Sequence, residues 1–572
     1  MDLASLGWSL KGGGAESAAE KSYASVIQKF SIDQELHALE ADSERTLNAA
    51  VICCDQHAHD KRKVALRYRN AKGEGREWTF AALKLQSERL ARLLMSLGVR
   101  KGDCVAGLLP RSPELLITAL AAWRIGAVYQ TLFTGFGPKA IEHRLHEAHT
   151  KVIVTDSANR DKIGAQLDVN VVTANPRNGD HDFWKDEPAT SPGLKLAICT
   201  LEDPILMMFT SGTTGLPKSL FVPIRAIAAF KRYVLDGMGL TAEDRFWNLA
   251  DPGWAYGMYY AVIGPLALGF ATTFYEGAFT VESTYDTINA LGITSLAGSP
   301  TAYRMMIGAG TAAAWPVRGK LRAVSSAGEP LNPEVIRWFA EHLNVAVLDH
   351  YGQTELGMVL CNHHGVSHPV TVGSAGFASP GHYIAVLTDS LEEAGPGEPG
   401  MLALGRAKSP FMWFTGYLGR ATSSFAGDWY LTGDTCERND DGSISFVGRS
   451  DDVITTSGYR VGPFDVESAL LEHEAVLESA VIGKPDKERT EIIKALIVLN
   501  DGYQPSPALI EDLQRYVRNR LSKHAFPREI SFVSSLPKTP SGKIQRFLLR
   551  NQEVANMQVG RESPEAPSKV EQ

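Results

Sequence analysis

The feature that most constrains the fold is an alternation of short apolar runs with longer amphipathic or apolar stretches. CVAGLLP (104–110), ELLITALAAWRIGAVY (114–129) and VIVTD (152–156) read in order as strand, helix and strand. That order is the mark of a layered α/β protein. Short β-type runs follow between about Val372 and Phe446, broken by the turn signals PGEPG (396–400) and NDDG (439–442), and predict a smaller β subdomain. After Asp451 the pattern becomes a compact α/β module: helix near Phe464–Glu474, strand VLESAVIG, helix near Ala508–Leu521, strand EISFVSSL. The expected division is a frayed segment 1–22, a large domain 23–450, a small domain 451–555 and a disordered tail 556–572.

Composition narrows the class. With 572 residues, 44% apolar and 21% charged, the chain is long enough for two to four domains with filled cores and is not a disordered polymer. A net charge of −8 argues against a nucleic-acid binder, which needs a basic stripe to displace counterions. Six cysteines, Cys53 and Cys54 adjacent and the other four scattered, without a C-x-x-C, are no disulfide framework, so a reducing compartment is expected, and the cytoplasm in particular. The first twenty-two residues carry no apolar signal core. The uncharged run Pro252–Tyr275 is long enough to span a bilayer, but its internal Gly264-Pro265 and its Thr272-Thr273 pair favour a buried helix and strand. No stable membrane insertion is expected.

Four short motifs carry chemistry. FTSGTTGLPK (209–218) follows the apolar run 205–209. Its Gly212 and Gly215 let backbone amides approach an anion, the hydroxyls of Thr210, Ser211, Thr213 and Thr214 donate hydrogen bonds, and Lys218 adds charge. It is a phosphate cradle, yet no G-x-x-x-x-G-K-[ST] occurs, so the common P-loop reading fails. In DHYGQTE (349–355), Thr354 beside Glu355 suits a hydroxyl on a phosphate oxygen and a carboxylate on Mg²⁺. WYLTGD (429–434) with FVGRSDD (446–452) puts Asp434, on an expected strand-end turn, and Arg449 within reach of a ribose. LPKTPSGKIQR (536–546) carries Lys543 on a Pro/Ser/Gly loop. Each alone is an ordinary turn, ion pair or solvated charge.

Together, in this order and with SAGEPLNPE (326–334) between them, they resemble the adenylate-forming superfamily of acyl-CoA synthetases, adenylation domains and luciferases, from about Tyr23 to about Arg550. The resemblance implies a two-step ligase. A carboxylate first attacks the α-phosphate of Mg-ATP to give acyl-AMP and pyrophosphate, and a thiolate, typically of coenzyme A, then displaces AMP. It assigns the 210–218 loop to the β- and γ-phosphates, and Gly328, Glu329, Asp349, His350 and Tyr351 to adenine. Thr354 would contact the α-phosphate, Glu355 the Mg²⁺, Asp434 and Arg449 the ribose, and Arg460 the phosphates. Lys543 would bridge the carboxylate and α-phosphate, where charge develops. The resemblance also implies a hinge at Asp451, rotation of the small domain, and Gly458-Tyr459 presented to the pantetheine arm of CoA.

Within the superfamily, LFTGFGPKAIEHRL (132–145), DPGWAYGMYYAVIGPLALG (251–269) and TSGYRVGPFDVESAL (456–470) look like acetyl- to medium-chain acyl-CoA synthetases. The implied acyl pocket is Trp254, Ala255, Tyr256, Ala327 and Gly352. Acetyl-CoA synthetases place a Trp where Gly352 stands, and losing an indole is expected to open more than about 100 Å² of contact surface. Each methylene buried there adds ~0.8 kcal/mol, so a medium-chain, branched or aromatic acid of fatty acid metabolism is expected, with Tyr256, Tyr259 and Tyr260 as opposing bulk. Acetyl- or propionyl-CoA synthesis, and loading of a carrier protein, stay open as alternatives, as do monomer and homodimer. Ser219 departs from the usual Gly, and SLFVPIRA (219–226) lacks a pocket His. CCDQHAHD (53–60) is too tightly spaced for a metal site and reads as helix packing, and His363, His364 and His368 read as a loop at the pocket mouth. GAGTAA (308–313) has no strand before it.

Overall fold

Val152–Thr155, Cys104–Leu108 and Val128–Leu132 lie side by side at the centre of a seven-stranded sheet. Its full order is His181–Asp182, Asn170–Thr173, Val152–Thr155, Cys104–Leu108, Val128–Leu132, Pro204–Thr210, Lys218–Pro223. All pairs are parallel except the last, which is a hairpin. Parallel strands covered on both faces are mostly apolar, and Cys104–Leu108, Val128–Leu132 and Val152–Thr155 are buried at every position. These relations come from a computed structural model that describes residues 21–40, 46–185, 194–210, 217–450, 452–456, 459–486, 489–521, 525–538 and 543–559.

The chain separates into two compact units. The first comprises Met1–Leu331, Val335–Ile384 and Leu404–Tyr430; the second comprises Asn332–Glu334, Ala385–Ala403 and Leu431–Gln572. In the first unit a second sheet runs Phe246–Asn248, Ser295–Gly298, Ala323–Ala327, Val347–Gln353, Gly357–Cys361, Ser374–Ala378, parallel through Val347–Gln353 and antiparallel after it. A three-stranded sheet joins Thr272–Glu276, Val64–Asn70 and Gly75–Thr79. In the second unit the antiparallel pair Val476–Asp486 and Thr490–Leu499 is flanked by Ile454–Thr456 and Glu529–Phe532, with helices Pro463–Leu471 and Pro507–Arg520 closing its core. The α/β class expected from the alternation is the one observed.

Local chemistry explains where elements stop. The apolar stretch expected to be one helix to Tyr129 is the helix Pro113–Arg124, with Pro at its first turn, followed by Gly126 at φ +70° and then the strand Val128–Leu132. Its last residue, Arg124, is buried and forms a two-pronged pair with Asp55, at 2.8 Å and 2.5 Å, while its Nε donates to Ser87 Oγ at 2.8 Å. That accounts for CCDQHAHD. Cys53 ends the helix Ala49–Cys53, Cys53 and Cys54 are buried, and Asp55 serves Arg124. The Pro252–Tyr275 run folds as helical turns through Gly264–Ala267 and then enters the strand Thr272–Glu276. Among the described residues, no helix is long and apolar enough to cross a membrane.

Candidate active site

The hairpin Pro204–Thr210/Lys218–Pro223 closes with Thr210 directly opposite Lys218. This pair brackets 211–216, so Ser211, Gly212, Thr213, Thr214 and Gly215 lie outside the described residues. Ser219, the departure from Gly, is buried with its hydroxyl donating to Glu147. The Lys218 ammonium stands 4.8 Å from the centre of the Tyr417 ring. The Tyr417 hydroxyl in turn donates to Glu355 Oε1 at 2.6 Å. One aromatic residue therefore touches both the closing lysine of the loop and the carboxylate of the QTE segment. Sequence reading missed it; the only signal was its place in WFTGYLG (413–419), shortly before WYLTGD.

Thr354 and Glu355 occupy the tight turn between the antiparallel strands Val347–Gln353 and Gly357–Cys361. Glu355 is only 7% exposed. The turn is held from behind by two buried tyrosines of the segment Met258–Ile263. Tyr259 donates to the Thr354 carbonyl at 2.9 Å, and the Met358 N–H donates to Tyr260 Oη at 2.8 Å. Burial raises both phenols well above their ordinary pKa, so both stay protonated. Both hydroxyls hold the turn, and both rings are buried.

The residues assigned to adenine are placed unevenly. Gly328 follows the strand Ala323–Ala327 at φ +97°, where an L side chain would be strained. The Glu329 carboxylate accepts from Thr301 at 2.9 and 2.8 Å and pairs with Arg304 at 3.2 Å. Asp349 takes the Leu331 N–H on Oδ2 at 3.2 Å, and burial holds its carboxyl well above the usual range. His350 is 1% exposed and has neither ring nitrogen left for a nucleotide. Nδ1 is 2.7 Å from the Tyr233 hydroxyl, and Nε2 is 3.0 Å from the Asn362 carbonyl. Tyr351 is half-buried, with its hydroxyl accepting from Gln353 at 3.2 Å. His363, expected at a pocket mouth, is 0% exposed, and His364 reaches the Val324 carbonyl at 3.0 Å, so both are packing residues.

At the expected acyl wall, Trp254, Ala255 and Tyr256 are half-buried on one turn, and Trp254 packs on Phe133 and Phe136. Ala327 is buried opposite His350 in the sheet register. Gly352 corrects one step of the sequence reasoning. A Cβ there would meet the Gly357 carbonyl oxygen at 2.1 Å and Met358 Cα at 2.8 Å. The strand is irregular between Tyr351 and Gly352, and the partner backbone fills the direction a side chain would take. The glycine marks a close backbone approach and leaves no indole-shaped hole.

In the second unit, Asp434 and Arg449 face each other across the strands Trp429–Arg438 and Ile444–Arg449, paired at 3.4 Å. Asp434 thus lies inside a strand rather than on the expected strand-end turn, with Gly433 at φ +77° beside it. Arg460 lies opposite Thr455 in the register, and Tyr459 opens the same strand, Tyr459–Val461. Asp451 and Gly458 fall outside the described residues. Lys543 is exposed and immediately precedes Ile544, which bridges back to Lys538.

As to a divalent ion, Glu355 offers hard carboxylate oxygen, and Mg²⁺ typically takes one or two carboxylates and completes its shell with water and phosphate. Among the described residues no group of three His, Cys, Asp or Glu forms a cage. The Glu355 carboxylate by itself is a donor of the type that Mg²⁺ takes.

Comparison with known proteins accords with this arrangement. Residues 54–418 match the model of the AMP-binding enzymes, and residues 465–543 match that of the AMP-binding enzyme C-terminal domain. The chain is 40% identical over 522 residues to an acetyl-coenzyme A synthetase of Bacillus subtilis, covering 88% of this chain and 90% of that one. It is 52% identical to an acyl-CoA synthetase of Brucella canis of known crystal structure, with TM-score 0.75 and coverage of 94% and 100%. The anthranilate CoA ligase AuaEII, solved with anthranoyl-AMP, is 28% identical with TM-score 0.81, covering 90% and 98%. The 204–223 hairpin, the QTE turn and the facing Asp434 and Arg449 thus sit in a chain that belongs to the AMP-binding, adenylate-forming superfamily and is an AMP-forming acyl-CoA synthetase, an acid–thiol ligase using ATP and CoA.

Proposed function

We propose that the acid activated is medium-chain, branched or aromatic. The observation that carries this reading is the small side chains at the expected wall, Ala255 and Ala327; Gly352 adds no room, because the Gly357 carbonyl oxygen stands 2.1 Å from where its Cβ would be. The hydroxyls of Tyr259 and Tyr260 are engaged at the QTE turn. The rival reading, acetate or propionate, is favoured by the 40% identity to an acetyl-coenzyme A synthetase.

In this reading Thr210, Lys218 and the loop between them bind the triphosphate, Thr354 the α-phosphate, and Asp434 with Arg449 the ribose. Tyr417 orients Glu355, and a Mg²⁺ held there with the nucleotide would neutralise charge on the phosphate oxygens. Lys543 stabilises charge as the substrate carboxylate attacks the α-phosphorus and pyrophosphate leaves. The Gly458-Tyr459 segment serves the second step, in which the CoA thiolate attacks the acyl carbonyl and AMP departs. All six cysteines are unpaired thiols, which supports a reducing, cytoplasmic setting.

The test is thioester formation with Mg-ATP, CoA and acids from acetate to dodecanoate, with isobutyrate and benzoate. A maximum beyond propionate is expected; acetate as the best substrate refutes the size reading. Lys543→Ala is expected to abolish acid-dependent pyrophosphate release while still converting supplied acyl-AMP and CoA to thioester.

A further inference from the structure

Tyr256, Tyr233 and His350 form a row of hydrogen bonds whose proton direction is fixed by its inner end. A backbone carbonyl can only accept, so the His350 proton lies on Nε2, facing the Asn362 oxygen at 3.0 Å. Burial holds this imidazole well below its usual pKa, so the ring is neutral and Nδ1 is an acceptor. Tyr233, 2% exposed, must then donate its single hydroxyl proton to Nδ1 at 2.7 Å. It has none left for Tyr256, whose hydroxyl is 3.2 Å away, so Tyr256 donates inward to Tyr233. Tyr256 has therefore spent its only proton, and what its oxygen can still offer is a lone pair. Among the described residues no other group donates to the Tyr256 hydroxyl, and unlike Tyr233, Tyr259 and Tyr260 this residue is only half-buried.

We propose that Tyr256 presents a fixed hydrogen-bond acceptor to the acyl pocket, and that the enzyme selects acids bearing a hydroxyl or amino donor on the chain or ring. This rests on the reading that the acid lies against Trp254–Tyr256. A purely apolar chain would displace water from the Tyr256 oxygen and leave it unpaired, whereas a donor on the acid satisfies it. Acids ending in a carbonyl are disfavoured for the same reason, since two acceptors would face each other.

The experiment compares kcat/KM for thioester formation within matched sets. Terminal hydroxy acids of three to six carbons are set against the fatty acids in which methyl replaces hydroxyl, 2-aminobenzoate against 2-methylbenzoate, and 4-oxopentanoate against 4-methylpentanoate. In the native enzyme the best donor-bearing acid is expected to exceed its methyl counterpart by about tenfold or more. Tyr233→Phe frees the Tyr256 proton, so the donor-to-methyl ratio should fall toward one and 4-oxopentanoate should gain on 4-methylpentanoate. Ratios are taken within one enzyme, so a general loss of activity cancels. Robust thioester formation from apolar medium-chain acids with donor-to-methyl ratios of one or less overturns the inference and leaves the size reading intact. Acetate as the best acid overturns both. A native preference that Tyr233→Phe leaves unchanged refutes the row as its cause.

Discussion

Replacing Tyr417 by Phe removes one hydroxyl and leaves the ring. The lost contact is a 2.6 Å hydrogen bond to a carboxylate that is 7% exposed, so little solvent can take its place. Hydrogen bonds to charged groups contribute about 1.5–3 kcal/mol, which at about 1.4 kcal/mol per decade is a loss of about 10- to 150-fold. The Lys218 contact at 4.8 Å from the ring centre survives in Tyr417→Phe but not in Tyr417→Leu. The latter should lose a further factor of about 2–5, the size of a partly exposed cation–π contact of about 0.5–1 kcal/mol. The assay is acid-dependent ATP–pyrophosphate exchange across a Mg²⁺ series, with thermal melting as the control for folding. If Glu355 holds the ATP-bound ion, the defect should shrink as Mg²⁺ rises. A Tyr417→Phe enzyme within twofold of the parent at every Mg²⁺ concentration would refute the reasoning, as would a rate loss matched by unfolding.

Gly352→Ala is expected to displace the Gly357 carbonyl, 2.1 Å from the new Cβ, and with it the turn carrying Thr354 and Glu355. Adenylation should therefore fall for all acids alike; a clean shift to shorter acids at full rate would show that the backbone yields freely. Asp55→Asn uncovers the buried Arg124 guanidinium, a class of change costing about 3–5 kcal/mol, seen as a lowered Tm. The exposed Asp161–Arg177 pair should be dispensable by the same measurement. Burial depresses His363 to about 3 and His364 and His382 to about 4, against an ordinary 6.5. Their neutral forms favour the folded state above pH 6.5, and that contribution is lost as pH falls from 6.5 toward 4, on the order of 3 kcal/mol for each group. Tm should decline across that window and less steeply in His382→Gln; a flat Tm would contradict the burial argument.

The chain by itself determined the α/β class and the strands at 104–108, 152–155 and about 205–209, and its motifs alone pointed to the AMP-binding superfamily and to acyl-CoA synthetase activity. Those features are local: a strand is a short apolar run, and a phosphate-binding loop is a cluster of glycines, hydroxyls and a lysine within ten residues. Tertiary structure decided what depends on residues far apart in sequence. It brought Tyr417 to Glu355 across 62 positions and Tyr233 to His350 across 117. It also gave Gly352 the opposite meaning from the one its composition implied, because the space beside a glycine belongs to whichever backbone packs there. Hydrogen-bond direction in the Tyr256 row has the same origin. Each hydroxyl is ambiguous alone, and only the carbonyl of Asn362 at the buried end makes it single-valued.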